Sequence, residues 1–202
     1  GIDVDKTIMN NGRNLFYERG YDSYKIMLSM ENIDYFEDNF FHAIISEQVL
    51  EHIENVWQVA AAMWRLTKSG GVGIHLFPGS KNILEGHLFM PFVHWFPKTK
   101  MMKLFIIMLL LLGKGPTKGF QKAKNEKLFK KAEMYYQYIS NKTFYRDCNK
   151  FREIFQAQGF HVDILLPGTI QLMGRTMPVN WFPKFLRDNG FPGSTIVLLT
   201  RK

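Results

Sequence analysis

Two of the six histidines, His87 and His94, fall in a ten-residue stretch that also holds Phe89, Phe92, Trp95 and Phe96. An imidazole set among aromatic walls can take a proton from an oxygen or nitrogen nucleophile while the rings exclude water. The stretch therefore predicts an acceptor site with His87 and His94 as its catalytic candidates. A plainer reading competes with it: a hydrophobic lid whose histidines are half-buried. A second constellation is Glu51-His52, a carboxylate and an imidazole side by side. A metal would need further donors. The nearest upstream side chain on the same turn is Gln48, whose amide is a poor substitute for a carboxylate on a hard cation. No second histidine lies at a ligand spacing from His52, so no metal is expected there. A third is Tyr138 and Lys142, four residues apart in a lysine- and tyrosine-rich helix. That spacing is short and common by chance.

These groups need elements to position them, and the apolar periodicity supplies a list. Residues 1–4 form a short apolar run ending in acid, the end of a buried strand. Residues 5–19 read as a helix, with Ile8, Leu15 and Phe16 at helical spacing, Asp5 suited to cap it and Gly20 to stop it. Residues 25–28 and 41–45 are short strands. Asn55 can cap a helix over 56–67 whose Val59, Met63 and Leu66 share a face. A Lys-Ser-Gly-Gly break leads into a strand over 72–77, stopped by Pro78. After an irregular stretch from 79 to about 145, a helix over 146–158 ends at Gly159, and strands follow over 160–166 and 195–200. The intervening residues 167–194, with four glycines and four prolines, read as a loop. Strand, helix, strand, strand, helix, strand is the alternation of a Rossmann-like, doubly wound, mostly parallel α/β sheet. Strands this apolar suit a sheet covered on both faces.

Length and charge narrow the class. A chain of 202 residues suits one elaborated domain, read as a sheet part over 1–78, a lysine-rich helical lid over 79–145 and a closing part over 146–202. Its net charge of +8 is concentrated: residues 98–131 carry ten lysines and one acid, a local +9 that leaves −1 for the rest. The basicity belongs to one insert, so a nucleic-acid partner is not expected. Within the insert, residues 101–112 are too short for a bilayer span, which needs about 20 residues. They predict a lid helix over the active site, with peripheral contact to an anionic membrane through 101–131 as the competing reading. The single cysteine, Cys148, agrees with a reducing, cytoplasmic setting. Nothing in residues 1–5 reads as a signal peptide, and the lack of an initiator methionine predicts an N-terminus further upstream.

Two segments carry a family resemblance. FFHAIISEQVLEHI at 40–53 resembles the fourth strand and following turn of class I S-adenosylmethionine-dependent methyltransferases, of the methyltransferase type 11 kind. RLTKSGGVGIHL at 65–76 resembles the same family's entry into its fifth strand, at the family's spacing and order. Gly1-Ile-Asp3 looks like the end of the second strand. The resemblance is good over 1–78 and weak over 146–202. It implies a methyltransferase with S-adenosylmethionine as cofactor. It also implies that Asp3 holds the ribose hydroxyls, that Met30, Glu31 and Asn32 flank the adenine, and that Ser46, Glu47 and Gln48 lie beside the methionine portion. An acid at a strand tip suits a ribose on physical grounds as well. His42 stands where the family often has aspartate. Some small-molecule members carry E-x-x-E-H with a metal, but here its first position is Gln48.

The family's G-x-G-x-G loop would precede Gly1 and has no equivalent downstream, so the sequence as it stands is expected to bind the cofactor poorly or not at all. The segment after the fifth strand usually shapes the acceptor pocket. Small-molecule, lipid-like and glycan acceptors, methylated on oxygen, nitrogen or carbon, all fit, and the oligomeric state is open. One alternative is a catalytically inactive relic of this fold, serving as a membrane or partner-binding module. Another is a nicotinamide-dependent short-chain dehydrogenase, for which Tyr138 and Lys142 fit Y-x-x-x-K. Ser-Glu-Gln at 46–48 does not match that family's fourth strand end.

Overall fold

The computed structural model describes residues 5–21, 36–116, 123, 125–165, 169–172, 175–178, 184 and 195–202. Helix α1 (Lys6–Glu18) starts at Asp5, whose carboxylate accepts from the Thr7 and Ile8 amides. It ends at Gly20, whose positive φ of 75° closes the turn. Met9 is its buried residue, whereas Ile8, Leu15 and Phe16 are exposed among the described residues. The strands expected over 1–4 and 25–28 lie outside the described residues, as do Asp3, Met30, Glu31 and Asn32.

The principal sheet has four described strands: β1 (Phe41–Glu47), β2 (Thr67–Pro78), β3 (His161–Leu165) and β6 (Thr195–Arg201), in the spatial order β1-β2-β6-β3. β1 and β2 are parallel; β6 runs antiparallel to both β2 and β3, so three of the four point the same way. This is the Rossmann-like, mostly parallel sheet that the alternation predicts. Helix α2 (Val56–Leu66) links β1 to β2, capped by Asn55 accepting from the Gln58 amide. It stops one residue earlier than its periodicity predicts: Thr67 is already extended (φ −75°, ψ 131°), with its hydroxyl donating back to the Met63 carbonyl. β2 correspondingly begins at Thr67, and the register jump from Phe41↔Thr67 to Ala43↔Val72 absorbs the Lys-Ser-Gly-Gly break as a bulge. Further along, Gly73 cannot be replaced without strain: a Cβ there would lie 2.2 Å from Thr200 Oγ1 and 2.6 Å from His75 Nε2.

α2 and α5 (Cys148–Ala157) cover one face of this sheet. Leu50, Phe77, Phe151, Phe155, Ile196 and Leu198 form the core between them. Gly159 ends α5 at φ +108° and lets Trp64 pack against the chain. Among the described residues, cover is found on this one face. On the other, Ile45, Val72 and Leu165 remain exposed among the described residues.

Between β2 and α5 lies a second hydrophobic cluster built on α3 (Lys100–Leu111) and α4 (Leu128–Lys142). Met102, Ile106 and Leu109 of α3 meet Ala132, Tyr135 and Ile139 of α4, with Leu88, Met90 and Val93 packed beneath them. The stretch expected as a loop over 167–194 also needs correcting. β4 (Thr169–Leu172) and β5 (Arg175–Pro178) pair antiparallel in a separate two-stranded ladder. The signal was present in the sequence: β-capable runs separated by two residues, one of them Gly174.

Candidate functional site

β1 delivers Ser46, Glu47 and Gln48 to its carboxyl end, the edge where open α/β sheets take ligands. The three do not act alike. Ser46 is buried on the helix-covered face, and its hydroxyl lies 2.9 Å from His75 Nδ1 on the neighbouring strand. Burial lowers the His75 pKa to about 4, so this pair is neutral and structural. Glu47 and Gln48 are exposed. Gln48 sits in the left-handed region at φ 53°, and its amide bonds to the Leu76 carbonyl at 2.8 Å. That bend ends β1 and throws the chain into a 3-10 turn over Leu50–His52.

Leu50 is fully buried, as its place in the motif suggests. The turn is stitched to the segment that leads out of α4. The Phe144 amide donates to the Glu51 carbonyl at 2.6 Å, and Arg146 Nη1 donates to the carbonyls of Ile53 and Phe144, each at 2.8 Å. Lys98 Nζ donates to the carbonyls of Ser140 and Thr143, at 2.8 and 2.6 Å, and lies 4.6 Å from the Phe144 ring centroid. The last turn of α4, where orphan carbonyls collect, is thereby held by a cation.

At this seam the structure corrects the spacing argument about histidines. His87 is 35 positions after His52, yet their Nε2 atoms lie 3.1 Å apart. His52 Nδ1 is 2.6 Å from the Lys142 carbonyl and His87 Nδ1 is 2.9 Å from Glu85 Oε1. Glu51 is 1% exposed, and neither of its carboxylate oxygens has a hydrogen-bond partner. Glu51, His52 and His87 offer ligand atoms that all lie within 4.8 Å of one another. Sequence reasoning had His87 and Glu51-His52 as separate features. The turn at 85–90 joins them: Glu85 accepts from the amides of His87 and Leu88, at 2.9 and 2.5 Å, and from the Tyr145 hydroxyl.

The two acids at this seam behave oppositely. Burial would raise Glu85, but hydrogen bonds from His87, Tyr145 and Leu88 outweigh it and hold its carboxyl below the ordinary range. Burial raises Glu51 as well, and there its own backbone amide and the nearby His52 and His87 offset only part of the rise. For His87, burial pulls downward and Glu85 pulls upward more strongly, so its pKa is raised. Burial and the Glu85 charge push the Tyr145 phenol well above its ordinary value, which keeps it a donor.

Tyr145 also forms one wall of an open cleft of about 350 Å³, with His94, Phe96, Lys98, Met102 and Ile139 among its other walls. His94 stacks at a tilt 4.8 Å from Tyr145, both its ring nitrogens are buried, and burial lowers its pKa to about 4. The ten-residue aromatic stretch is thus divided. His94 and Phe96 line the cleft, His87 belongs to the cluster behind Tyr145, and Phe89, Phe92 and Trp95 are exposed. The Y-x-x-x-K pair is not a catalytic dyad. The Tyr138 ring packs 5.7 Å from His87, burial lifts its phenol to about 12, and Lys142 uses its carbonyl on His52.

Residues 1–74 match the family described as "Methyltransferase domain". No curated protein matches the chain. Among solved structures, the chain is similar over its whole length to an S-adenosylmethionine-dependent methyltransferase from Archaeoglobus fulgidus, at 9% identity, TM-score 0.52 and 75% of that chain. One from Mesorhizobium loti gives 9% identity, TM-score 0.53 and 79% of that chain. Phosphoethanolamine N-methyltransferase 2 of Haemonchus contortus, in complex with S-adenosyl-L-methionine, gives 11% identity and TM-score 0.53 over 42% of that chain. At these identities the likeness is one of fold.

Proposed function

We propose that this chain is a class I S-adenosylmethionine-dependent methyltransferase, a reading supported by the family match over residues 1–74 and by the likeness of fold, and that it methylates an amphiphilic, lipid-like acceptor bearing an anionic group, taken from a membrane surface. The observation that carries this reading is the double use of α3. Its inner residue Met102 lines the cleft, while Met101, Leu104, Met108 and Leu111 form an outer stripe, each between 45% and 70% exposed. Exposed Lys100 and Lys114 flank the stripe. Apolar residues at helical spacing bordered by lysines suit the interface of an anionic bilayer. Among the described residues no helix is long and apolar enough to cross a membrane.

The cleft fits such an acceptor. Phe96, Met102, Ile139 and Phe144 make apolar walls, and the exposed Lys98 and half-buried Arg146 add two cations. Burial, and for Lys98 the repulsion of Arg146, lowers both pKa values, and Glu54 offsets part of that. An anionic headgroup would relieve that repulsion. Ser46, Glu47 and Gln48 would lie beside the methionine portion of the cofactor, a reading that the exposure of Glu47 and Gln48 at the strand edge supports. The cofactor supplies an already activated methyl group, so the chain's task is to align and to exclude water.

The test has two arms. Calorimetric titration with S-adenosylhomocysteine, on the protein carrying its natural upstream residues, reads the cofactor site. Co-sedimentation with phosphatidylglycerol or phosphatidylcholine vesicles reads the surface. The proposal expects binding in both arms, with retention on the anionic vesicles alone and its loss in Leu104→Glu/Leu111→Glu. Absence of cofactor binding with vesicle binding intact would favour the inactive membrane-binding relic. Cofactor binding without vesicle binding would overturn the membrane assignment.

A further inference from the structure

We propose that Glu51, His52 and His87 bind a divalent transition-metal ion of the zinc class, at a three-ligand site with a fourth position open.

The hydrogen bonds assign the tautomers. A carbonyl oxygen only accepts, so His52 Nδ1, 2.6 Å from the Lys142 carbonyl, carries its proton and leaves a lone pair on Nε2. Glu85 accepts from the His87 and Leu88 amides and from the Tyr145 hydroxyl, and His87 Nδ1, 2.9 Å from Glu85 Oε1, donates to it in the same way. The two Nε2 atoms then face each other across 3.1 Å, an arrangement that needs a proton or a metal ion between or beside them. The carboxylate that completes the set is buried, has no hydrogen-bond partner and comes within 3.9 Å of His52 Nε2 through Oε1.

The spacing fits coordination. Two donors bound at zinc–nitrogen or zinc–oxygen lengths and a tetrahedral angle lie about 3.3 Å apart, between the 3.1 and 3.9 Å seen here. Two imidazoles and one carboxylate suit zinc and its neighbours better than magnesium or calcium. Each histidine is also held from behind, His87 by the Glu85 carboxylate and His52 by a backbone carbonyl, as metal-bound imidazoles regularly are. The negative end of α4 points at the same place, which favours a cation further. A protein ligand set of three leaves room for water or for an oxygen of the acceptor. The inference does not depend on the methyl-transfer reading, because it is tested by metal binding alone.

The full chain, stripped with a chelator, would be titrated with Zn²⁺ and separately with Co²⁺, following heat, thermal stability and the visible spectrum. The expected result is one ion per chain, a rise in melting temperature and the intense visible bands of four-coordinate cobalt. Glu51→Gln should abolish the rise while making the metal-free protein more stable, since it neutralises a buried, unpaired acid. His87→Ala should lose stoichiometric binding, and Glu85→Gln, which acts through His87, should weaken it about 10- to 100-fold. His161→Ala, on the far edge strand, should bind as the wild type does. Failure of the wild type to bind Zn²⁺ stoichiometrically would overturn the site, leaving the histidines as a pair sharing one proton. Binding that persists in both Glu51→Gln and His87→Ala would overturn it too. Should His87→Ala not fold, Glu51→Gln and the cobalt spectrum decide.

Discussion

The sheet core draws its residues from the length of the chain: Leu50, Phe77, Phe155 and Leu198 meet only because β2 and β6 pair and α2 and α5 close over them. The lid core is assembled from one stretch, with Leu88 and Ile139 bounding it, and its two helices pack mainly on each other. The first core buries strands under helices and keeps two neutral polar groups, Ser46 and His75, paired inside it. The second is buried on one side, and its outer helix presents leucine and methionine to solvent. The first therefore specifies the fold, whereas the second is a local unit that can open or respond to a surface with the sheet intact.

Substitutions can break that contrast or sharpen it. The largest effect is expected of Phe77→Ala in the sheet core, a loss of about 3 to 5 kcal/mol in urea unfolding that reports on the whole domain. Acid comes next. His75 and His94 have folded pKa values of about 4, against about 6.5 in the unfolded chain. The unfolded state therefore binds protons first as pH falls. Stability is complete above pH 6.5 or so and declines toward pH 4, by up to about 3 kcal/mol for each imidazole. His75→Gln should blunt the decline measured by global unfolding, and His94→Gln the part measured by hydrogen exchange in the lid. Ile106→Ala in the lid core should cost about 2 to 3 kcal/mol, read chiefly as faster exchange in α3 and α4. Gly73→Ala should cost about 1 to 3 kcal/mol through overpacking against Thr200 and His75. The smallest change is expected of Leu104→Glu, within about 0.5 kcal/mol in solution, although the same substitution should remove vesicle binding. A large destabilisation there would mean that the stripe is covered in the folded protein.

Much of this fold was legible because apolar periodicity and caps agreed. Asp5, Asn55 and Gly159 mark the ends of α1, α2 and α5 within a residue or two, and the motif around 65–76 located β2. The bulge after Thr67 was not legible, since it is a register shift against β1, a pairing that local sequence does not announce. The antiparallel ladder of 169–172 with 175–178 lay among glycines and prolines that suggested a loop. For the site, the position of residues 46–48 at the carboxyl end of β1 was legible, but the contact of Ser46 with His75 was not. Nothing in local sequence announces that a hydroxyl will face His75, 29 positions away. The union of His87 with Glu51 and His52 was invisible for a related reason. Ligand spacing rules work along one element, and these donors come from two turns brought together by the seam between β1 and the lid. A neighbouring signal existed in Glu85, two residues before His87, an acid placed to hold an imidazole.

The bond from His52 to the Lys142 carbonyl has a consequence for how the molecule responds as a machine. One atom closes the end of α4 and, through the imidazole, sets the ring that faces His87. Separating the lid from the sheet must break that bond and misalign the ring in one event. By linkage, whatever binds between the two histidines contributes its binding free energy to keeping the lid seated, and whatever seats the lid tightens that binding by the same factor.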